Sequence, residues 1–308
     1  MSSLHDAVDD YLRIRRALGF KLERDGRFLH NFVDFVTAAG SDVITLDLAV
    51  TWATQPVGAD RVWHAARLSM VRVFATHLHG LDPRTEVPPS DVLRGRSRRA
   101  EPFLYTNDQV LALQASARSL KSPLKAATYD TLIGLLAVTG MRVGEAIRLD
   151  RTDIDGGSGL LRIRDTKFGK SRQIPLHRSV VDALDGYATV RDRHLGTWRT
   201  PALFSSITGT RLIYKNVHHC FHLLTIYAGI TPRSARCRPR IHDLRHRFAM
   251  ITLSNWYADG LPIDPRLPLL SSYLGHVSPS STYWYLTATP ELLELAMQRL
   301  GHAHEAFA

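Results

Sequence analysis

The chain has 308 residues, 44% hydrophobic and 22% charged, an ordinary balance for a soluble globular protein with room for two domains. No apolar run approaches the roughly 20 residues of a membrane span, and the opening Met1-Ser2-Ser3-Leu4-His5-Asp6 is too polar for a signal peptide. The formal net charge of +10 favours a polyanionic partner, and only six of the 39 basic residues are lysines, which makes each lysine informative.

Residues 4–80 read as four helices. Leu4, Val8, Tyr11 and Leu12 give the first stripe, and Phe28, Phe32, Phe35 and Val36 the second. Thr45 is the expected N-cap of a short third helix ending near Trp52. Val62, Ala66, Met70, Val73 and Phe74 mark a fourth, stopped by Gly80. Arg13, Arg15, Arg16, Lys21, Arg61, Arg67 and Arg72 offer charge that phosphates could meet. Residues 82–103 are turn-rich and then basic, with Arg94, Arg96, Arg98 and Arg99 close together, as in a linker crossing a DNA backbone. The expected division is a helical domain at 1–81, a basic linker at 82–103 and a larger domain at 104–308.

The larger domain opens on Thr106-Asn107-Asp108-Gln109, a capping-box pattern, and a second helix follows Pro123 as far as Val138. Thr139-Gly140-Met141-Arg142-Val143-Gly144-Glu145-Ala146 then breaks that helix and starts another, placing Arg142 at a helix N-terminus, where free backbone amides can bind an anion alongside its guanidinium; the alternative is an exposed arginine with Glu145 three residues on as a surface pair. Residues 160–164 and 173–176 pair as a β-hairpin whose tip carries Lys167, Lys170 and Arg172. Helices are expected at about 178–194 and 214–228, with His219 and His222 read as structural, and a basic loop from Thr231 to Pro239 holds Arg238. In His242-Asp243-Leu244-Arg245-His246-Arg247-Phe248, Leu244, Phe248 and Ile251 form an apolar stripe, while His242, Arg245 and His246 share another face, open to a ligand. Leu274-Gly275-His276 and Tyr283-Trp284-Tyr285 follow, and Thr289-Pro290-Glu291 starts a last helix. Cys220 and Cys237 sit in no ligand or redox spacing, so reduced thiols and a cytoplasmic, nucleoid-associated location are expected.

Two arginines, a lysine, histidines and a tyrosine suit transfer of a phosphodiester to a protein hydroxyl. Guanidinium forks match the charged non-bridging oxygens. A phenol loses its proton more readily than an aliphatic alcohol. His242 suits the base that accepts that proton, and Lys167 can protonate the departing 5′ oxygen. No carboxylate cluster offers a two-metal site, so metal-independent chemistry without a cofactor is expected. His242 and His246 could pair on zinc, but Asp243 stands where a zinc hydrolase places Glu, and no third ligand is evident.

These blocks resemble those of the tyrosine recombinases, the phage-integrase-like family. The stretch around Arg142 resembles its first arginine box, and 166–176 its lysine hairpin, with Lys167 at the catalytic position. His242-Asp243-Leu244-Arg245-His246 resembles its His-x-x-Arg box, and Leu274-Gly275-His276 its Leu-Gly-His box. Tyr285 stands nine residues after His276, the family's distance to the nucleophile, with Tyr283 as a second candidate. The resemblance implies a mainly α fold with a small antiparallel β-sheet: an α-helical, SAM-like core-binding domain followed by an α+β catalytic domain. It implies a catalytic set of Arg142, Lys167, His242, Arg245, His276 and Tyr285, and a 3′-phosphotyrosine intermediate. It further implies double-stranded DNA as partner and a homotetramer on paired sites, of a mobile-element or transposon type. Two other readings are a DNA-binding regulator that has lost the chemistry and a type IB topoisomerase-like enzyme.

Overall fold

Side-chain caps start most helices of the first unit. Ser3 and Asp6 close a capping box on α1 (Leu4–Ala17), Thr45 accepts from the Leu48 amide at the start of α3 (Leu46–Thr54), and Asp60 accepts from Trp63 at α4 (Arg61–His79). With α2 (Glu23–Ala38) these make one of the two units into which the computed structural model divides, Met1–Arg99 and Ala100–Ala308. The structure describes residues 3–95, 101–164, 171–196, 200–276, 278 and 282–283. Val8, Leu12, Leu29, Phe32, Val36, Trp52, Leu68 and Phe74 fill the core of the first unit.

The expected stripe of α4 is out of phase. Val73 is exposed, whereas Leu68, Val71, Ala75 and Leu78 are buried, because α4 packs against α1, α2 and α3 together. Two of its arginines are engaged within the unit. Arg67 is buried, stacked 3.7 Å over the Trp52 ring, and donates to the Trp52 carbonyl at 2.7 Å. Arg72 donates to the Pro88 and Pro89 carbonyls at 2.7 and 2.9 Å.

The second unit is mainly α with a small antiparallel sheet. α5 (Asn107–Arg118) carries the expected Thr106–Gln109 capping box. α6 (Pro123–Thr139) is buried on nearly every side and packs against α5, α8 (Arg178–Leu195) and α10 (Asp243–Ala258). Strands β2 (Leu160–Ile163) and β3 (Arg172–Pro175) pair with Leu161 opposite Ile174 and Ile163 opposite Arg172. A two-residue strand not expected from the sequence, β1 (Ile154–Asp155), extends the sheet to the order β1-β2-β3. The hairpin tip, 165–170, lies outside the described residues, as does the helix expected after Thr289. α7 (Val143–Arg148), α9 (Tyr214–Tyr227) and α11 (Leu267–Leu274) are the unit's remaining α-helices among the described residues. On α9, His219 and His222 stand on the exposed face.

α10 corrects the expected division of its faces. Leu244 is fully buried, but Ile251 is exposed, while Asp243, Arg245 and His246 are buried and His242 stays exposed. A solvated basic face is therefore excluded for Arg245 and His246. Burial of a guanidinium at this depth requires acceptors on every side, and those come from distant parts of the chain.

Candidate active site

Gly140 ends α6 in the left-handed region, at φ 60°. A Cβ there would come within 2.4 Å of the Phe248 ring, so the glycine allows both the turn and the close approach of α10. Arg245, 2% exposed, then reaches the Gly140 carbonyl with one Nη at 2.9 Å and the Leu274 carbonyl with the other at 2.7 Å. Arg142 caps α7 two residues after Gly140, on the near side of the same turn. Its backbone N–H donates to Glu145 at 2.9 Å, one Nη to the same carboxylate at 2.9 Å, and the other Nη to the Gly275 carbonyl at 3.0 Å.

α11 ends at Gly275, also left-handed at φ 67°, and the His276 amide turns back to the Ser271 carbonyl at 2.9 Å. A helix end leaves carbonyls without intrahelical partners, and these carry partial negative charge. Here three consecutive ones each receive a different guanidinium. Arg172 takes Tyr273 at 2.8 Å, Arg245 takes Leu274 and Arg142 takes Gly275. The turn that presents His276 is thus held by arginines from β3, α10 and the start of α7. The His276 ring is tied in turn by Nδ1 to the buried Thr282 hydroxyl at 2.7 Å.

Glu145 joins this group. It is 3% exposed, which rules out the alternative of a surface pair, and it bridges Arg142 and Arg172, the latter at 2.7 and 3.2 Å. Burial by itself would raise its carboxyl, but Arg172 and then Arg142 outweigh burial and pull it down to about 2. The signal for this was present in the sequence: a Glu at the third position of a helix is placed to reach back to the cap. What the pattern could not show was the second guanidinium. Arg172, expected at a DNA-facing hairpin tip, has its side chain turned into Glu145 and Tyr273, with only 12% of it exposed.

His242 stands at the exposed start of α10, edge-on to His246 with ring centroids 4.9 Å apart. Asp243 below them is fully buried. Its carboxyl is raised by burial, against the opposing pull of Arg240, which pairs with it at 2.8 Å. Among the described residues no three His, Cys, Asp or Glu side chains gather as a metal site would need. Tyr283 is half exposed. Lys167, Lys170, Tyr285, Arg96, Arg98 and Arg99 lie outside the described residues. Arg94 is exposed, 4.0 Å from Asp91, and Arg238 is exposed beside α9. With Lys215, His218, His222 and Arg240, Arg238 lines a groove of about 810 Å³.

Two guanidiniums and an imidazole therefore meet at one turn. Such a cluster can bind a phosphodiester and stabilise charge that grows on it. Residues 103–291 match the model of the phage integrase family. A protein of Sinorhizobium fredii described as an integrase/recombinase, y4rB, is 42% identical over 99% of both chains. The tyrosine recombinase XerC of Mycobacterium tuberculosis is 31% identical, covering 99% of this chain and 98% of its own. Among solved structures, the Tn1549 transposon integrase in complex with transposon right end DNA has the same fold. Its TM-score is 0.66 at 18% identity, over 97% of this chain and 100% of that one.

Proposed function

The chain belongs to the phage integrase family and is a site-specific tyrosine recombinase that cuts and rejoins DNA strands, and we propose how its residues divide that work. Tyr285 attacks the scissile phosphorus, its proton passing to His242. The phosphorus–5′-oxygen bond breaks, Lys167 protonates the leaving 5′ oxygen, and the strand's 3′ end stays joined to the tyrosine. A 5′-hydroxyl of the second strand then displaces Tyr285 and restores a phosphodiester. The ester keeps the bond energy, so no nucleotide is consumed. Arg142, Arg245 and His276 hold the non-bridging oxygens, on which charge grows in the transition state.

The observation that carries this reading is the row of three guanidiniums on the carbonyls of Tyr273, Leu274 and Gly275. It brings Arg142, Arg245 and His276 together although they are far apart in sequence. DNA is held more broadly, by Arg94, Arg96, Arg98 and Arg99 of the basic stretch, by Lys170 at the hairpin tip, and by Arg238 beside α9. The domain division at 1–81, 82–103 and 104–308 makes the basic stretch the connection between two DNA-binding bodies. Four protomers act on two sites, with the segment after Thr289 docking on a neighbour.

The test uses duplexes recovered from a randomised pool by binding to the full-length Tyr285→Phe protein, then nicked at successive positions. The nick lets the cleaved end diffuse away and traps the intermediate. The wild-type chain gives a covalent DNA–protein band with one nick position, and Tyr285→Phe gives none. A band that survives in Tyr285→Phe but is lost in Tyr283→Phe would move the nucleophile. No band at any position would leave a DNA-binding protein without this chemistry. The same assay with excess chelator forms the band at an unchanged rate; a drop would require a metal in the step.

A further inference from the structure

We propose that Arg172 is a positioning residue for strand cleavage: through Glu145 it fixes the guanidinium of Arg142, and through the Tyr273 carbonyl it fixes the turn that carries His276. The proposal rests on the reading of Arg142 as a phosphate clamp and adds a residue that does not itself touch the phosphate.

The geometry is specific. Arg172 uses all three arms of its guanidinium: Nε on Tyr273 at 2.8 Å, and Nη1 and Nη2 on the two Glu145 oxygens at 3.2 and 2.7 Å. Glu145 uses the same two oxygens to hold the backbone and the side chain of Arg142. A planar carboxylate shared between the Arg172 fork and the amide and one Nη of Arg142 fixes both guanidiniums at once. Without Arg172, the carboxylate is free to swing, so Arg142 keeps only the Gly275 carbonyl as a fixed partner and its direction loosens. Gly275 completes the fit: a Cβ there would sit 2.8 Å from Nη1 of Arg172, so the turn beside His276 is shaped around this guanidinium. Arg172 is also the first residue of β3, paired with Ile163 of β2. It therefore locks the return strand of the lysine hairpin to the phosphate-binding turn. A solvated surface arginine would show none of these contacts.

The experiment measures single-turnover formation of the covalent band at saturating DNA, using the nicked duplex defined above. It is run on the ordinary phosphate and on a duplex in which a methyl group replaces one non-bridging oxygen of the scissile phosphate. That replacement removes the charge the clamp exists to meet. Arg172→Ala forms the band about 10- to 100-fold more slowly on the ordinary phosphate, the scale expected of a clamp misplaced by about an ångström. On the methylphosphonate duplex its deficit against wild type shrinks, as does that of Arg142→Ala. Arg172→Lys keeps the charge but lacks the fork, and carries the same comparison if the alanine variant does not fold. A deficit of equal size on both duplexes, or none on either, overturns the proposal. Arg142→Ala separates the two layers. If it cleaves the ordinary phosphate like wild type, the clamp reading fails and this inference with it. If it is inactive there and recovers on the methylphosphonate while Arg172→Ala does not, only the role of Arg172 is overturned.

Discussion

Arg245→Ala binds the selected duplex nearly as well as wild type and forms no detectable covalent band, and Arg142→Ala does the same. Removing one donor aimed at developing charge costs on the order of 10²-fold or more in rate. In the proposed mechanism two such donors act on one phosphate, so either loss is expected to take cleavage below detection. Affinity is spread over many backbone contacts along the duplex, so losing one cation weakens it modestly. The two variants should part company in stability. The Arg245 side chain is buried and satisfies the Gly140 and Leu274 carbonyls, so its removal leaves acceptors unpaired and a cavity. The Arg142 side chain is about one-third exposed, so water can replace part of what it supplies. A thermal melt of each variant, beside anisotropy for binding and the nicked-duplex assay for cleavage, separates these effects. Arg245→Ala melts lower than Arg142→Ala while both are equally silent in cleavage. Binding that falls in step with cleavage would show that these arginines anchor DNA and do not act on the transition state.

What the sequence disclosed, and what it hid, follows from the range of the interactions involved. Caps are local: Thr45 and Thr106 bond to amides three residues away, so their helices start where the sequence pattern places them. Helix stops at Gly140 and Gly275 are local as well, since both sit at positive φ. The faces of α10 are not local. Periodicity assigned Arg245 and His246 to an open face because it counts polarity, and polarity does not reveal an acceptor that arrives from more than a hundred residues away. The Gly140 carbonyl is such an acceptor. The same blindness reads Arg67 as a surface charge that phosphates could meet, when its partner is the Trp52 ring and carbonyl. Arg172 illustrates the rule from the other side. A basic residue near a hairpin tip reads as a groove contact, and only the fold shows that Glu145 and Tyr273 hold it. Motif matching is blind to burial and does not need it: Arg142, Arg245 and His276 stand out by the boxes they match, and the fold brings them to one turn.

Glu145→Gln destabilises the second unit and slows cleavage together, and the stability loss is itself pH-dependent in a direction the structure fixes. The carboxylate is buried between Arg142 and Arg172. Breaking a buried charge network by removing one member typically costs about 3–5 kcal/mol, because the remaining charges are left without a counterion. An amide in that place also turns a donor toward donors. In the folded chain the carboxyl is held near 2, below the roughly 4.3 of an unfolded glutamate. A group depressed in this way contributes its stability in full above the unfolded value and loses it as pH falls toward the folded one. The interval of about two pH units corresponds to about 3 kcal/mol, which agrees in scale with the cost of breaking the pair. Urea unfolding of wild type and Glu145→Gln from pH 6 down to pH 2 tests this. Other carboxylates titrate in both proteins and cancel in the difference, so the gap should be constant above about pH 5 and close as pH approaches 2. A gap that stays constant to pH 2 would mean that Glu145 acts through shape alone. Cleavage at pH 7 supplies the second arm: with Glu145 neutralised, Arg142 loses its fixed direction, so the rate falls even at saturating DNA. Loss of both stability and rate in Glu145→Gln would show one carboxylate, paired with Arg142 and Arg172, serving the fold and the proposed phosphate clamp at once.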